Sequence, residues 1–313
     1  MDGQADGRHP GKGAPATSPD LAATTRGRGG TAPVAGVATG SDLFGLPVGW
    51  TAAWIFNCYV IGDPDDSLVV IDPGLPLVAR QALALIEGEM GRRAGDVTAV
   101  MCTHGHPDHV GGVSTLIEAA DAEVHLPALC REYLAGGRPR NFALLDATLR
   151  FMALYREQAF SRRALADFAR VGRTTGFSSA APTMTLDFAP AGFLDDGTDM
   201  PGAPGWRAIH APGHTDDSTC LYHEESATLI SCDAVVTQDG HAWFNPEYVD
   251  LDRSRETEER LRSLEVRHLL PGHGRPLVAD DVWAGARSAS DPPTGPSLLA
   301  RCSRRLGRWP PAG

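Results

Sequence analysis

The segment Thr103-His104-Gly105-His106-Pro107-Asp108-His109 constrains this chain more than any other stretch. It follows the apolar run Val97–Cys102, which reads as a buried strand. Three imidazoles and a carboxylate at a strand end are costly in a purely structural loop. Each buried polar group needs its own partner, and protonated imidazoles repel one another. A divalent cation resolves the conflict, because it takes neutral imidazole lone pairs and balances the carboxylate charge. Gly105 lets the backbone turn tightly, and Pro107 stiffens the approach to Asp108.

Further candidates arrive at similar places. Ala211-Pro212-Gly213-His214-Thr215 follows a strand-like run at Trp206–His210, and Ser231-Cys232-Asp233 follows Thr228–Ile230. Pro271-Gly272-His273-Gly274 follows His268–Leu270. Each puts a His or Asp just after an apolar strand, where open sheets gather their ligands. Asp72, in Ile71-Asp72-Pro73-Gly74, ends the run Leu68–Ile71 and on its own is an ordinary turn residue. His125, His210, His223, His241 and His268 stand alone and read as surface or core residues.

These elements, in this order, resemble the metallo-β-lactamase superfamily, over about residues 43–280. The resemblance rests on His104-x-His106-x-Asp108-His109, Gly213-His214-Thr215, Cys232-Asp233, Pro271-Gly272-His273 and the strand-end Asp72. It implies an α/β fold, the four-layer αβ/βα sandwich, with the site at one edge of two mixed sheets. It implies that His104, His106 and His214 hold one divalent metal. Asp108, which is also the catalytic carboxylate, would hold the second with His109 and His273, and Asp233 would bridge. Asp72 would orient a ligand by hydrogen bonding. Cys232 is a rival for the bridging place as a thiolate. The implied cofactors are two divalent ions, zinc first, with iron or manganese also compatible with such ligands. A hydroxide bridging the pair would attack a thioester, lactone or related ester. An iron-dependent persulfide dioxygenase and a β-lactamase use similar ligands and are the alternatives.

Composition sets the remaining bounds. The 313 residues are 42% hydrophobic and 21% charged, which supports a sizeable core. Residues 1–40 hold almost no large apolar side chain and read as a disordered tail. Residues 41–285 form the domain, 128–172 a helical insertion or cap within it, and 286–313 a second tail with room for a short helix at Leu298–Leu306. A net charge of −11 argues against a nucleic-acid partner and for a small-molecule substrate. The six cysteines form no CxxC pair and read as reduced. No run suits a membrane span or signal peptide, so the expected location is cytoplasmic without membrane association. Oligomeric state is left open. Residues Trp54–Ile61 read as one strand, joined by a turn at 62–66 to Leu68–Ile71. Trp243, Phe244 and Tyr248 are candidates for the pocket wall, and Asp216-Asp217 for negative charge at its mouth.

Overall fold

The computed structural model describes residues 37–40, 42–62 and 67–310. The expected tail over 1–36 and most of the turn at 62–66 therefore lie outside the described residues. Val37–Gly40, expected in the tail, is strand β1 and pairs with the next strand, β2 (Val48–Ala53).

The first sheet continues with β3 (Phe56–Gly62), β4 (Leu68–Ile71), β5 (Val97–Met101) and β6 (Glu123–Pro127). A small hairpin, β7 (Gly176–Ser178) and β8 (Ala181–Thr185), precedes β9 (Gly192–Leu194), which closes the seven-strand order β1-β2-β3-β4-β5-β6-β9. The second sheet holds β10 (Trp206–His210), β11 (Thr219–His223) and β12 (Thr228–Cys232). A hairpin, β13 (Val235–Gln238) and β14 (His241–Phe244), intervenes before β15 (His268–Pro271) and β16 (Leu277–Val278), which complete that sheet. Pairs β4–β5, β5–β6 and β12–β15 are parallel, so their C-terminal ends meet at one edge.

Period-two alternation explains the layering. Tyr59 and Ile61, Val69 and Ile71, and Ala99 and Met101 face the second sheet, where Trp206, Ala208, Leu221, Ile230 and Leu270 meet them. Between them, Cys58, Val60, Leu68, Val70, Val97 and Val100 face the outer helices. Helix α1 (Pro76–Gly88) presents Val78, Ala82, Leu85 and Ile86 to that outer face. It starts where Pro76 fixes φ at a position that needs no amide donor. The second sheet's far face is covered by Leu261, Val266, Trp283 and Phe244. Two sheets between two outer layers make the four-layer sandwich of the α/β class.

The stretch Trp54–Ile61 is not one strand. Trp54 adopts φ of 59° and the chain reverses there, so β2 and β3 form a hairpin where apolar content alone suggested continuity. Inside the expected insertion lie α4 (Cys130–Leu134), α5 (Leu144–Phe151) and α6 (Arg162–Val171), after the short α2 (Pro107–Val110) and α3 (Val113–Ile117) of the core. The C-terminal segment docks rather than trails: past α7 (Leu251–Arg262), helix α8 (Leu298–Leu306) packs near α5, with Ser303 Oγ donating to the Arg150 carbonyl at 2.9 Å. Trp309 stacks on Trp243. Among the described residues no helix is long and apolar enough to cross a membrane.

Leu68 is fully buried on the helix-facing side of β4. Leu68→Ala is expected to cost about 2–5 kcal/mol, read as a lower urea midpoint with an unchanged slope.

Candidate metal centre

Every expected ligand sits just past a strand or on the turn that follows it. β5 delivers Thr103 and His104, and the one-turn helix α2, with proline at its first position, carries Asp108 and His109. β10 leads to His214. β12 ends in a register shift between Ile230 and Cys232, with Cys232 at φ of 45°, and this turns Asp233 back toward the sheet edge. β15 delivers His273.

The donor atoms form two groups. His104 Nε2 and His214 Nε2 lie 3.0 Å and 3.3 Å from His106 Nδ1. Asp108 Oδ2 lies 3.4 Å from His273 Nε2 and 3.8 Å from His109 Nε2. Atoms about 2.1 Å from a tetrahedrally held cation stand about 3.4 Å apart, so both groups have the spacing a cation requires. Asp233 Oδ2 lies between them, 3.5 Å from His214 Nε2, 3.6 Å from His109 Nε2 and 3.1 Å from His273 Nε2. His109 Nε2 is buried with no hydrogen-bond partner among the described residues. A buried polar atom without a partner is costly, and a cation among these donors satisfies it.

The opposite edges of the rings are held. His214 Nδ1 donates to the Glu247 carbonyl and His273 Nδ1 to the Ile55 carbonyl, each at 2.7 Å. His109 Nδ1 faces Asp72 Oδ2 at 3.0 Å. Asp72 also accepts from the Thr103 amide at 2.8 Å and the Thr103 hydroxyl at 2.7 Å. Such contacts leave each Nε2 lone pair aimed at the group's centre. Cys232 Sγ is on this outer side, 3.6 Å from His104 Nδ1 and 3.4 Å from His109 Nδ1, whereas the Asp233 carboxylate occupies the side that faces the donors.

The two groups differ electrically. Burial pushes His104, His106 and His214 down, with mutual repulsion adding, and His106 falls to about 3. These rings are neutral lone-pair donors. Burial also opposes charge on His109 and His273, yet acidic neighbours prevail. Cys232, Asp72 and Asp233 hold His109 up, and Asp233 and Asp108 raise His273 to about 10. Despite burial, the cationic rings hold Asp108 down at about 2 and Asp233 well below the usual range. Burial pushes the Cys232 thiol up, so it keeps its proton.

Several positioning residues carry no sequence signature. Asn57, inside apolar β3, donates to the Pro271 carbonyl at 2.8 Å and the Gly274 carbonyl at 2.7 Å. Tyr59 donates to the same Pro271 carbonyl at 2.7 Å. The first sheet thus grips the His273 turn of the second. A polar residue amid an apolar strand was the one available hint of Asn57.

The Asp216-Asp217 pair does not leave negative charge at the mouth. Asp217 is fully buried and accepts from the Gly105 amide at 2.8 Å, tying the His214 loop to the His104 loop. Asp216 pairs with Arg140, which also reaches Asp250 at 3.0 Å. Trp243 and Phe244 are not pocket residues either. They are 0% and 1% exposed, Trp243 beneath Arg287 and Phe244 stacked on Trp283. They belong to the paired hairpin β13–β14, so packing claims both rings. Tyr248 is half-buried under Arg150. The aromatics that touch the centre come from several places: from the insertion, Phe142 lies 5.6 Å from His106 and 5.5 Å from His214 and Phe151 lies 5.2 Å from His273, while Phe177 of β7 lies 5.0 Å from His106 and Phe56 of β3 lies 5.9 Å from His273.

Gly272 admits no side chain, since a Cβ there would overlap the Asp233 carboxylate and lie 3.2 Å from the His109 ring. Gly272→Ala is therefore expected to lower metal content to one ion or fewer per chain. Circular dichroism should keep its native shape, and elemental analysis reads the ratio.

The profile of the metallo-beta-lactamase superfamily matches residues 53–273. The chain is 27% identical over 247 residues to the probable metallo-hydrolase YflN of Bacillus subtilis (strain 168), covering 72% of this chain and 82% of that one. It is 24% identical over 227 residues to the probable metallo-hydrolase YqjP of the same organism, covering 68% and 66%. Among solved structures, TTHA1623 in a di-iron-bound form aligns at TM-score 0.46 with 24% identity, covering 75% of this chain and 94% of that one. The metallo-beta-lactamase family protein TTHA1429 from Thermus thermophilus aligns at TM-score 0.46 with 21% identity, covering 80% and 73%.

Proposed function

Because the chain belongs to the metallo-β-lactamase superfamily, we propose that it is a dinuclear metal-dependent hydrolase of a small thioester, lactone or related ester. The observation that carries the reading is the position of Asp233 Oδ2, within 3.1–3.6 Å of Nε2 atoms from both donor groups. An oxygen there suits a pair of ions better than one.

In this reading His104, His106 and His214 would hold one ion, Asp108, His109 and His273 the other, and Asp233 would serve both. The bound ions supply Lewis acidity and a water of lowered pKa. The chain's own part is to keep that chemistry aimed and dry. His109, His214 and His273 are fixed in one tautomer by Asp72, the Glu247 carbonyl and the Ile55 carbonyl. The buried carboxylates of Asp108 and Asp233 balance cationic charge that would otherwise be costly to bury. Phe142 gives the centre an apolar neighbour where an acyl group can lie, and Arg140, bound to Asp216 and Asp250, pins the segment that carries Phe142. We take zinc as the resident ion, although these ligands also accept iron or manganese.

The test is metal analysis followed by a substrate panel. Two ions per chain and hydrolysis of thioesters or lactones are the expected results. Oxygen uptake with a persulfide, or turnover confined to nitrocefin, would replace the reading. Protein that takes up neither zinc nor iron would end it.

A further inference from the structure

Among the imidazoles that face the centre through Nε2, one is unexplained. A histidine that binds through Nε2 carries its proton on Nδ1 and needs an acceptor there. His109 has Asp72, His214 has the Glu247 carbonyl, and His273 has the Ile55 carbonyl. His104 is fully buried, and two atoms face its Nδ1: Thr103 Oγ1 at 3.4 Å and Cys232 Sγ at 3.6 Å. For nitrogen and oxygen, 3.4 Å is beyond the usual range for a hydrogen bond, whereas sulfur is larger and accepts at longer reach. The Thr103 hydroxyl donates to Asp72 at 2.7 Å and also touches Cys232 Sγ, so it braces the sulfur.

Cys232 is placed to serve. Its thiol lies 3.0 Å from Asp72 Oδ2, so S–H donates to the carboxylate while a sulfur lone pair faces His104. The backbone holds it there at φ of 45°, a left-handed conformation that favours glycine over side-chain-bearing residues. Such strain persists where surrounding structure enforces it and tends to gather at functional positions.

We infer that Cys232 is a positioning residue: its thiol takes the Nδ1 proton contact of His104 and relays it to Asp72, so that one carboxylate aligns an imidazole in each metal group. His109 is aligned directly and His104 through sulfur. The inference rests on the ligand assignment proposed above, but concerns an atom that touches neither ion. An additional soft-metal site at Cys232, His104 and His109 is disfavoured, because both imidazoles would have to give up the Nδ1 protons that their Nε2 binding needs.

The test uses the full zinc-loaded chain with histidine-labelled NMR and zinc competition against a chromophoric chelator. The variants are Cys232→Ala, Cys232→Ser and Cys232→Gly. Cys220→Ala is the control, a buried thiol that donates to the Ser231 carbonyl at 3.4 Å. Cys232→Gly suits the left-handed backbone and so keeps the fold. In Cys232→Ala and Cys232→Gly, one zinc dissociation constant should rise about 10–100-fold while the other stays. The His104 Nδ1–H signal should broaden by exchange with water while that of His109 persists. Cys232→Ser, which can still donate and accept, should recover part of the affinity. Two dissociation constants matching those of Cys220→Ala, or an equal weakening of both, would overturn the inference while leaving the metal assignment standing. Wild-type protein that binds no zinc would overturn both.

Discussion

Stripping the protein with a chelator is expected to abolish hydrolysis and to lower Tm by about 10–20 °C, with both restored by zinc. Five histidines and two aspartates converge in a largely buried cluster, where Asp233 and His109 are 3% and 1% exposed. Without cations this cluster balances only by holding protons on His109 and His273. Each ion present at 100 times its Kd contributes about 2.7 kcal/mol. For a domain of this size each kcal/mol moves Tm by about 2–4 °C, which gives the range stated for two ions. Calorimetry on stripped and reloaded protein reads it directly. A Tm that ignores the chelator, in protein shown by elemental analysis to have lost its metal, would mean that the cluster is self-sufficient.

Asp233→Asn is expected to reduce kcat/KM on the order of 10³-fold, the scale on which preorganised electrostatic groups act. The amide keeps the volume but loses the charge that His109 and His273 share, and its NH2 would point a donor where Nε2 lone pairs meet. Metal content should fall toward one ion per chain. Asp72→Asn is the contrasting case. It disturbs the hydrogen bonds to Thr103 and His109 but removes no ligand. A decrease of about 10–100-fold is expected there, measured on the same substrate.

Much of this was legible in the sequence, for a physical reason. Imidazole and carboxylate in short succession after apolar strands have few cheap uses, so His104 through His109 announce a cation before any fold is known. The strands at Trp206–His210 and His268–Pro271 were visible because they are apolar runs bounded by turns. What stayed hidden depends on contacts made across the chain. Nothing local in Trp54 marks the reversal that separates β2 from β3. Phe244 and Phe142 are the same residue type, yet one fills the core and the other borders the centre. Asn57 matters only because folding brings it to a turn more than two hundred residues away. Cys232 and Asp233 are adjacent, and only the bulge at the end of β12 sends the thiol to one side of the imidazoles and the carboxylate to the other.

The donors are divided between the two sheets: His104 through His109 follow the first, and His214, Asp233 and His273 follow the second. During synthesis, then, a ribosome-bound chain can expose the histidine cluster early but cannot close around a pair of ions until Pro271-Gly272-His273 has emerged. On the proposed reading, metal capture would be one of the last events in the protein's maturation.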